Sequence, residues 1–561
     1  MSKSHSWHKF YPAGMPQTID EQKLTNIAAR IGEASRTHAD KIALTCMGAD
    51  MRFSAYEKAA RDFAAFLQHE VGMKKGDRLA IQLPNVMQFP VVFYAAQKIG
   101  VICVNTNPLY TPREMRYQFK DSGATAIVIV DMFMDKLEKV IKDTAIKTVI
   151  TTSIADHLPL LKGLAVRSVL KIKGMIPRHG LKHATYREAM SRGAGYTLKP
   201  TAIHQDDIAV LQYTGGTTGV SKGAMLTQRN ILANMEQIRI CAGDFISEGS
   251  ETVLTALPLY HIFALSVNFL TFLAMGERML LVPKPVPIAN TIKLFSKYKI
   301  TVMTGVNTLF NAMNNCPEFK QLKPRDLKFA LTGGMALQDH VGREFEELTG
   351  CKVIQGFGLT EASPVTHVNP INSGGKIGSI GIPLASTDAK VVDSNGLEVA
   401  IGEVGELIVS GPQIMLGYWN RPDETLNTLR DGWLWTGDMA KADADGFFFI
   451  VDRKKDMILV SGFNVYPNEI EEVIASHSKV LEVAVVGIAD KSSGEAVKAY
   501  VVAKDQSLTA DELAKYCKEN LTAYKRPKIV EFRRELPKSN IGKILRRELR
   551  DEMAGKEQPT I

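Results

Sequence analysis

One stretch of the 561-residue chain gathers the residue types that hold a polyphosphate: Tyr213, Thr214, Gly215, Gly216, Thr217, Thr218, Gly219, Val220, Ser221, Lys222, Gly223 and Ala224. Its glycines allow positive φ and close backbone approach. Its hydroxyls and its lysine place short donors and one positive charge beside bare N–H groups. The common P-loop runs Gly-Lys directly into Ser or Thr, which sets a hydroxyl on Mg²⁺. Here Val220 and Ser221 separate Gly219 from Lys222, and Gly223 follows the lysine. The stretch therefore implies an ATP user outside the P-loop class. A flexible polar turn is the plain alternative, and the apolar brackets Leu211 and Met225-Leu226 argue against it.

Three further motifs carry chemistry. In Gly356-Phe357-Gly358-Leu-Thr360-Glu361 an aromatic between glycines suits stacking on a base. Thr360 there suits a phosphate and Glu361 suits Mg²⁺; a strand-to-helix turn with a capping Thr-Glu is the alternative. In Gly432-Trp-Leu-Trp-Thr-Gly-Asp438 a carboxylate follows what reads as a tight turn, suited to ribose hydroxyls as in dinucleotide sites. Alone, Asp438 would more often be a turn residue. Pro537-Lys-Ser-Asn-Ile-Gly-Lys543 presents one lysine just before a helix. A solvated basic tail would account for Arg546, Arg547 and Arg550 but not for that turn.

These motifs, in this order along nearly the whole chain, resemble those of the adenylate-forming superfamily of acyl-CoA and aryl-CoA synthetases, peptide-synthetase adenylation domains and beetle luciferases. They are most similar to the bacterial long-chain fatty acid–CoA ligases. The resemblance implies an AMP-forming acid–thiol ligase, with ATP, Mg²⁺ and coenzyme A acting on a long-chain fatty acid through an acyl-adenylate. Bringing two anions together, the acid and the α-phosphate, demands cations and donors where charge develops. The resemblance assigns Lys543 to bridge those anions. It gives catalytic parts to Thr360, Glu361, Lys222 and His261, Mg²⁺ to Thr217 and Glu361, and the ribose to Asp438 with Arg453 nearby. Lys455 matches a hinge, and Gly462 and Phe463 a segment that approaches coenzyme A. Tyr260 and His261 match an acyl entrance, Leu265 stands where some fatty acid ligases carry a gating tryptophan, and Gly305, Val306, Gly333, Gly334 and Met335 are expected pocket walls. Phe357 replaces a frequent tyrosine, and Trp435 a frequent histidine. An apolar slot gains about 0.8 kcal/mol per buried methylene, which favours long chains. Aryl-acid and medium-chain CoA ligases are the alternatives within the enzyme class. An acyl-AMP ligase is disfavoured because Asp456-Met-Ile-Leu-Val-Ser-Gly runs on without an insertion. A non-catalytic sensor is disfavoured by the set Lys222, Glu361, Asp438, Arg453 and Lys543.

The elements that must position these residues alternate. Short apolar runs such as Arg78–Leu83 and Ala126–Val130 read as strands, with helical spacing between them, which predicts parallel sheets. Thr111-Pro112 opens one helix, and Ser54 with Glu57, and Thr509 with Glu512, are capping boxes for others. The fold class is α/β: a large N-terminal domain (1–454) of two doubly wound sheets to about 377 and a small barrel-like unit at about 378–451. A mobile α+β domain (455–561) follows. Six scattered cysteines without a CxxC pair argue against zinc and disulfides, and no apolar leader opens the chain. The apolar stretch Val253–Gly276 contains Pro258, His261 and Asn268, so a buried turn and core helix is expected rather than a membrane span. The net charge is +8. Between Asp156 and Glu188 no acidic residue occurs, while lysines and arginines alternate with leucines. That segment is either a solvated surface or a contact with anionic lipid. It lacks aromatics for base stacking, so no nucleic acid is expected. A cytoplasmic protein, peripheral at most on the inner membrane, follows; a homodimer is compatible with it.

Overall fold

A computed structural model describes residues 5–215, 221–370, 374–490, 493–539 and 542–554. Two large sheets form the N-terminal domain. Arg78–Gln82, Ile102–Asn105, Ala126–Val130, Thr148–Thr152 and Ile208–Gly215 are the parallel centre of an eight-stranded sheet. Ile42–Cys46, Arg278–Leu281, Thr252–Thr255, Val302–Gly305, Phe329–Thr332 and Val353–Gly358 are the parallel part of a nine-stranded one. Their side chains are buried in near-continuous apolar runs, as parallel strands covered on both faces require.

Each sheet ends in an antiparallel return, and each return carries a motif. Ile208–Gly215 folds back onto Ser221–Thr227. Val353–Gly358 folds back onto Val365–Val368. A five-stranded antiparallel sheet follows, built from Asp388–Val392, Gly405–Ser410, Leu429–Arg430, Trp433–Ala442 and Phe448–Arg453. The smaller C-terminal domain has its own five-stranded sheet. Its separate core includes Val465, Ile470, Ile474, Val485, Val501 and Leu513.

Local rules succeed where no tertiary partner competes. Thr111 and Glu114 close a full capping box with Pro112 in the first turn. Ser54 and Glu57 do not. That helix, Phe53–His69, begins without a side-chain cap. Glu57 instead accepts hydrogen bonds from Tyr94 Oη at 2.5 Å and Lys98 Nζ at 2.6 Å, partners from the next helix that outcompete its own first turn. Thr509 caps the Glu512 N–H, but the Glu512 carboxylate pairs with Lys479 at 2.9 Å. The stretch Val253–Gly276 is a strand, a turn and a core helix. Ala264–Thr271 is wound as a π-helix with every residue buried. Asn268 there donates to Leu254 O and accepts from Thr304 Oγ1 at 2.7 Å. No helix among the described residues is long and apolar enough to cross a membrane.

Candidate active site

The described ends of the glycine-threonine stretch lie on two paired antiparallel strands. Thr214 pairs with Lys222 and Gly215 with Ser221. Ser221 Oγ donates to Thr214 O at 2.9 Å and ties the strand ends together. Gly216, Thr217, Thr218, Gly219 and Val220 lie outside the described residues. Tyr213 there is buried and donates to Asp121 Oδ2 at 2.6 Å. Burial, then that carboxylate, pushes its phenol up. A Cβ at Gly223 would stand 3.1 Å from the Tyr213 ring, so glycine lets the strands close over it. Ala224 pairs with Tyr418 on the sheet edge.

Tyr418 joins this antiparallel return to the second one. Lys222 is almost fully buried; its Nζ lies 2.6 Å from Glu424 Oε2 and 5.0 Å from the Tyr418 ring centre. The Tyr418 hydroxyl donates to Glu361 Oε1 at 2.6 Å. Sequence reasoning missed both Tyr418 and Glu424. Glu424 sits 202 positions from Lys222, and no spacing signals such a pair. At the second return a Cβ on Gly358 would come within 2.1 Å of Pro364 O, so only glycine fits. Gly356 and Phe357 pair with Val368 and His367, and the Phe357 ring meets His367 edge-on at 6.0 Å. Thr360 and Glu361 form a short 3₁₀ turn just beyond.

Asp438 corrects the expectation of a turn. It lies inside the long strand Trp433–Ala442, paired with Arg453. It is 2 % exposed. Its Oδ1 accepts from Arg453 Nε at 2.6 Å, while its Oδ2 has no hydrogen-bond partner. Burial raises its pKa against the pull of Arg453 and Lys543. Where the family often has histidine, Trp435 lies under Arg430, 4.5 Å from its ring centre.

Lys543 comes to this cleft from the small domain. The turn that carries it is locked by Ser539, whose Oγ accepts the Lys543 N–H at 3.1 Å and whose N–H donates to Lys543 O at 2.7 Å. Asn540 and Ile541 lie outside the described residues. The half-buried amine is pulled down to about 8 by desolvation, then by the charge of Arg453, with Asp438 opposing. Lys543 in turn helps burial hold His261 down at about 4, so that imidazole is neutral near pH 7. Thr308 Oγ1 donates to Gly542 O at 3.1 Å, and Asn311 Nδ2 to Leu481 O at 3.2 Å, which seats the small domain on the large one.

The expected acyl-pocket residues divide. The Tyr260 carbonyl accepts from Gln212 at 2.9 Å. Val306 touches the Lys543 turn, since a Cβ on Gly542 would lie 3.4 Å from it. Gly305 backs onto Phe310, and Gly333 packs between Phe263 and Gly356 O. Gly334 takes a left-handed φ of 80° before Met335. Leu265 is sealed in the hydrophobic core. A groove of 1420 Å³ lies elsewhere, between Tyr11–Glu33 and the helix Gln228–Ala242, and none of the expected site residues lines it.

At the junction Asp452 is fully buried. It accepts the Asn468 N–H at 2.8 Å and Arg546 Nη1 at 3.2 Å. Arg546 also pairs with Glu471 at 2.6 Å. Lys455 is exposed beside this network. Gly462 takes a φ of 84°, and Phe463 is exposed and stacks on Tyr524 at 4.8 Å.

Known proteins resemble this chain over nearly its whole length. The family described as AMP-binding enzyme matches residues 32–419, and its C-terminal domain matches 469–543. A long-chain-fatty-acid–CoA ligase of Salmonella typhimurium is 51% identical over 552 residues, 98% of each chain. One of Bacillus subtilis is 40% identical over 98% of this chain and 99% of its own. Among solved structures, ATP-bound MatB from Rhodopseudomonas palustris aligns with a TM-score of 0.81 at 27% identity, covering 95% of this chain and 100% of its own. An anthranilate CoA ligase with anthranoyl-AMP shares the fold at 0.85 and 24% identity, over 96% of this chain and 100% of its own.

Proposed function

The chain belongs to the AMP-binding enzyme family, and from that premise we propose a long-chain fatty acid–CoA ligase. It joins the acid to AMP from ATP with release of pyrophosphate, then transfers the acyl group to the thiol of coenzyme A. The observation that carries this reading is the cleft itself. There a buried carboxylate with one unpartnered oxygen, Asp438, faces a lysine delivered by another domain. A ribose hydroxyl supplies the hydrogen bond that Asp438 Oδ2 lacks, while Arg453 Nε donates to its Oδ1 and opposes the upward push of burial on its pKa.

The residue roles in this reading are those the family resemblance implies. Lys222, with the stretch 213–224, receives the β- and γ-phosphates; Phe357 receives the adenine between Gly356 and Gly358. Thr360 meets the α-phosphate. Glu361, fixed by Tyr418, is the protein carboxylate for Mg²⁺. Such an ion is commonly held by one or two carboxylates plus substrate phosphates, so the donor set fits although no cluster of three acidic or histidine ligands occurs among the described residues. Bound there, Mg²⁺ neutralises phosphate charge. Lys543 bridges the acid and the α-phosphate. Neutral His261 and Tyr260 line the entrance without repelling or trapping the carboxylate. Lys455 is the hinge between domains 1–454 and 455–561, and Gly462 and Phe463 meet coenzyme A after the small domain turns. The protein works in the cytoplasm, peripheral to the membrane through the basic segment 160–187, as a monomer or homodimer.

AMP release measured with ATP, Mg²⁺ and coenzyme A across acetate, octanoate, palmitate, oleate and benzoate tests the assignment. Rates that climb to palmitate and oleate are expected. A maximum at benzoate or octanoate overturns the substrate, and no AMP with any acid overturns the activity.

A further inference from the structure

Asp121 is out of place by the rules of its own helix. It stands in the last turn of Pro112–Ser122, where the carbonyl end carries a partial negative charge that disfavours a carboxylate. Its side chain is only 10 % exposed. The partners that offset both costs come from far along the chain. Oδ2 accepts from Tyr213 Oη at 2.6 Å, and Oδ1 from Arg421 Nη2 at 2.8 Å, 92 and 300 positions away. Its carbonyl is one of those a helix end leaves without an internal partner. That oxygen accepts from Trp419 Nε1 at 3.1 Å and from Asn420 Nδ2 at 3.3 Å.

All four donors belong to the chain segments that frame Lys222. Tyr213 lies on Ile208–Gly215, and the strand paired with it, Ser221–Thr227, carries Lys222. Tyr117, four residues before Asp121 and so on the same helix face, adds a second tie. Its hydroxyl donates to Ser221 O at 2.7 Å and accepts from Arg421 Nη2 at 3.2 Å. Trp419, Asn420 and Arg421 follow directly on Tyr418, which pairs with Ala224 and donates to Glu361. Arg421 also precedes the helix Pro422–Thr428, which carries Glu424, the ion-pair partner of Lys222. One carboxylate thus grips both sides of the lysine.

We infer that Asp121 is a positioning residue for the polyphosphate of ATP. The inference rests on the phosphate role proposed above for Lys222. Asp121 acts through Tyr213 and Arg421. It holds the Lys222 strand and the Tyr418–Glu361 pair in one fixed relation, so the cation and the carboxylate proposed for Mg²⁺ meet the same phosphates. Groups that bind a ligand by geometry need such support from the residues behind them. The contribution of Asp121 is geometric, because its charge alone would act the other way. A carboxylate near a polyphosphate repels it.

Isothermal titration calorimetry of the full chain with MgATP and with AMP tests this. In D121N an amide N–H replaces one of the two acceptors, so one of the two arms is lost. The Kd for MgATP is expected to rise at least tenfold. The Kd for AMP, which lacks the β- and γ-phosphates, stays within twofold. R421M removes one arm only and weakens MgATP at least threefold, again sparing AMP. The double variant D121N/R421M weakens MgATP by less than the product of the two single effects, because the residues share an interaction. An unchanged or tighter Kd for MgATP in D121N overturns the proposal, since a nearby charge and nothing more acts that way. Equal weakening toward MgATP and AMP overturns it as well, being the mark of a general loss of structure. If D121N does not fold, R421M binding MgATP like wild type is the refuting result. The samples contain no acid or coenzyme A. Wild-type protein that binds MgATP but releases no AMP with any acid therefore removes the ligase assignment and leaves this inference standing.

Discussion

Replacing Lys543 by methionine is predicted to strengthen the fold while removing adenylation. The amine is held at about 8 where a free lysine has 10.5. That difference corresponds to about 3 kcal/mol against the charged form. The side chain keeps some solvent contact, so about 1–2 kcal/mol is the stabilisation expected from Lys543→Met at pH 7. The sign follows from proton counts. Between about pH 8 and 10.5 the unfolded chain holds a proton on this lysine that the folded chain has lost, so wild-type stability rises with pH across that window. The variant lacks the rise. Catalysis moves the other way. Removing one charge aimed at the reacting phosphate lowers adenylation by about 10²–10³-fold, read as pyrophosphate exchange into ATP. Thioester formation from supplied acyl-AMP is spared. In the wild type, kcat/KM for adenylation falls as pH rises through about 8, where the free enzyme's lysine deprotonates. Equal loss of both half-reactions would refute the division of labour, and a variant less stable than wild type at pH 7 would refute the burial argument.

Asp438→Asn keeps the shape but removes the charge that pairs with Arg453, and the KM for ATP is expected to rise about 10- to 100-fold in steady-state assays. Tyr418→Phe loses the hydrogen bond to Glu361 and keeps the ring over Lys222; the Mg²⁺ concentration for half-maximal rate rises about fivefold in a metal titration, from about 1 kcal/mol. Gly358→Ala forces a methyl against Pro364 O and lowers stability by about 1–3 kcal/mol in denaturant unfolding.

Local features were readable from sequence where the physics is local. The Thr111-Pro112 helix start and the strands beginning at Arg78 and Ala126 depend on neighbours within a few residues. The Ser54–Glu57 box failed because Tyr94 and Lys98, distant in sequence, offer Glu57 better partners. Asp438 was chosen for its chemistry, but its place in a strand depends on pairing with Arg453. Tyr418 was invisible because its role exists only once a sheet edge brings it between Lys222 and Glu361. The basic segment was legible by composition, but composition could not tell which side of the helix Leu160–Ile172 meets solvent. Gly163, buried against the Ala155 carbonyl, settles that.

The buried carboxylate of Asp452 sets a schedule for the whole molecule. Its partners Asn468 and Arg546 belong to the small domain, so the rotation about Lys455 proposed above would part them. Breaking such a buried pair costs about 3–5 kcal/mol. With nothing bound, fewer than about one molecule in a hundred then stands turned. The turned orientation becomes populated only when a ligand binds it more tightly by a comparable margin. The Asp452 carboxylate, next in the chain to Arg453, thus times the second half of the proposed cycle, making it wait for the molecule that completes it.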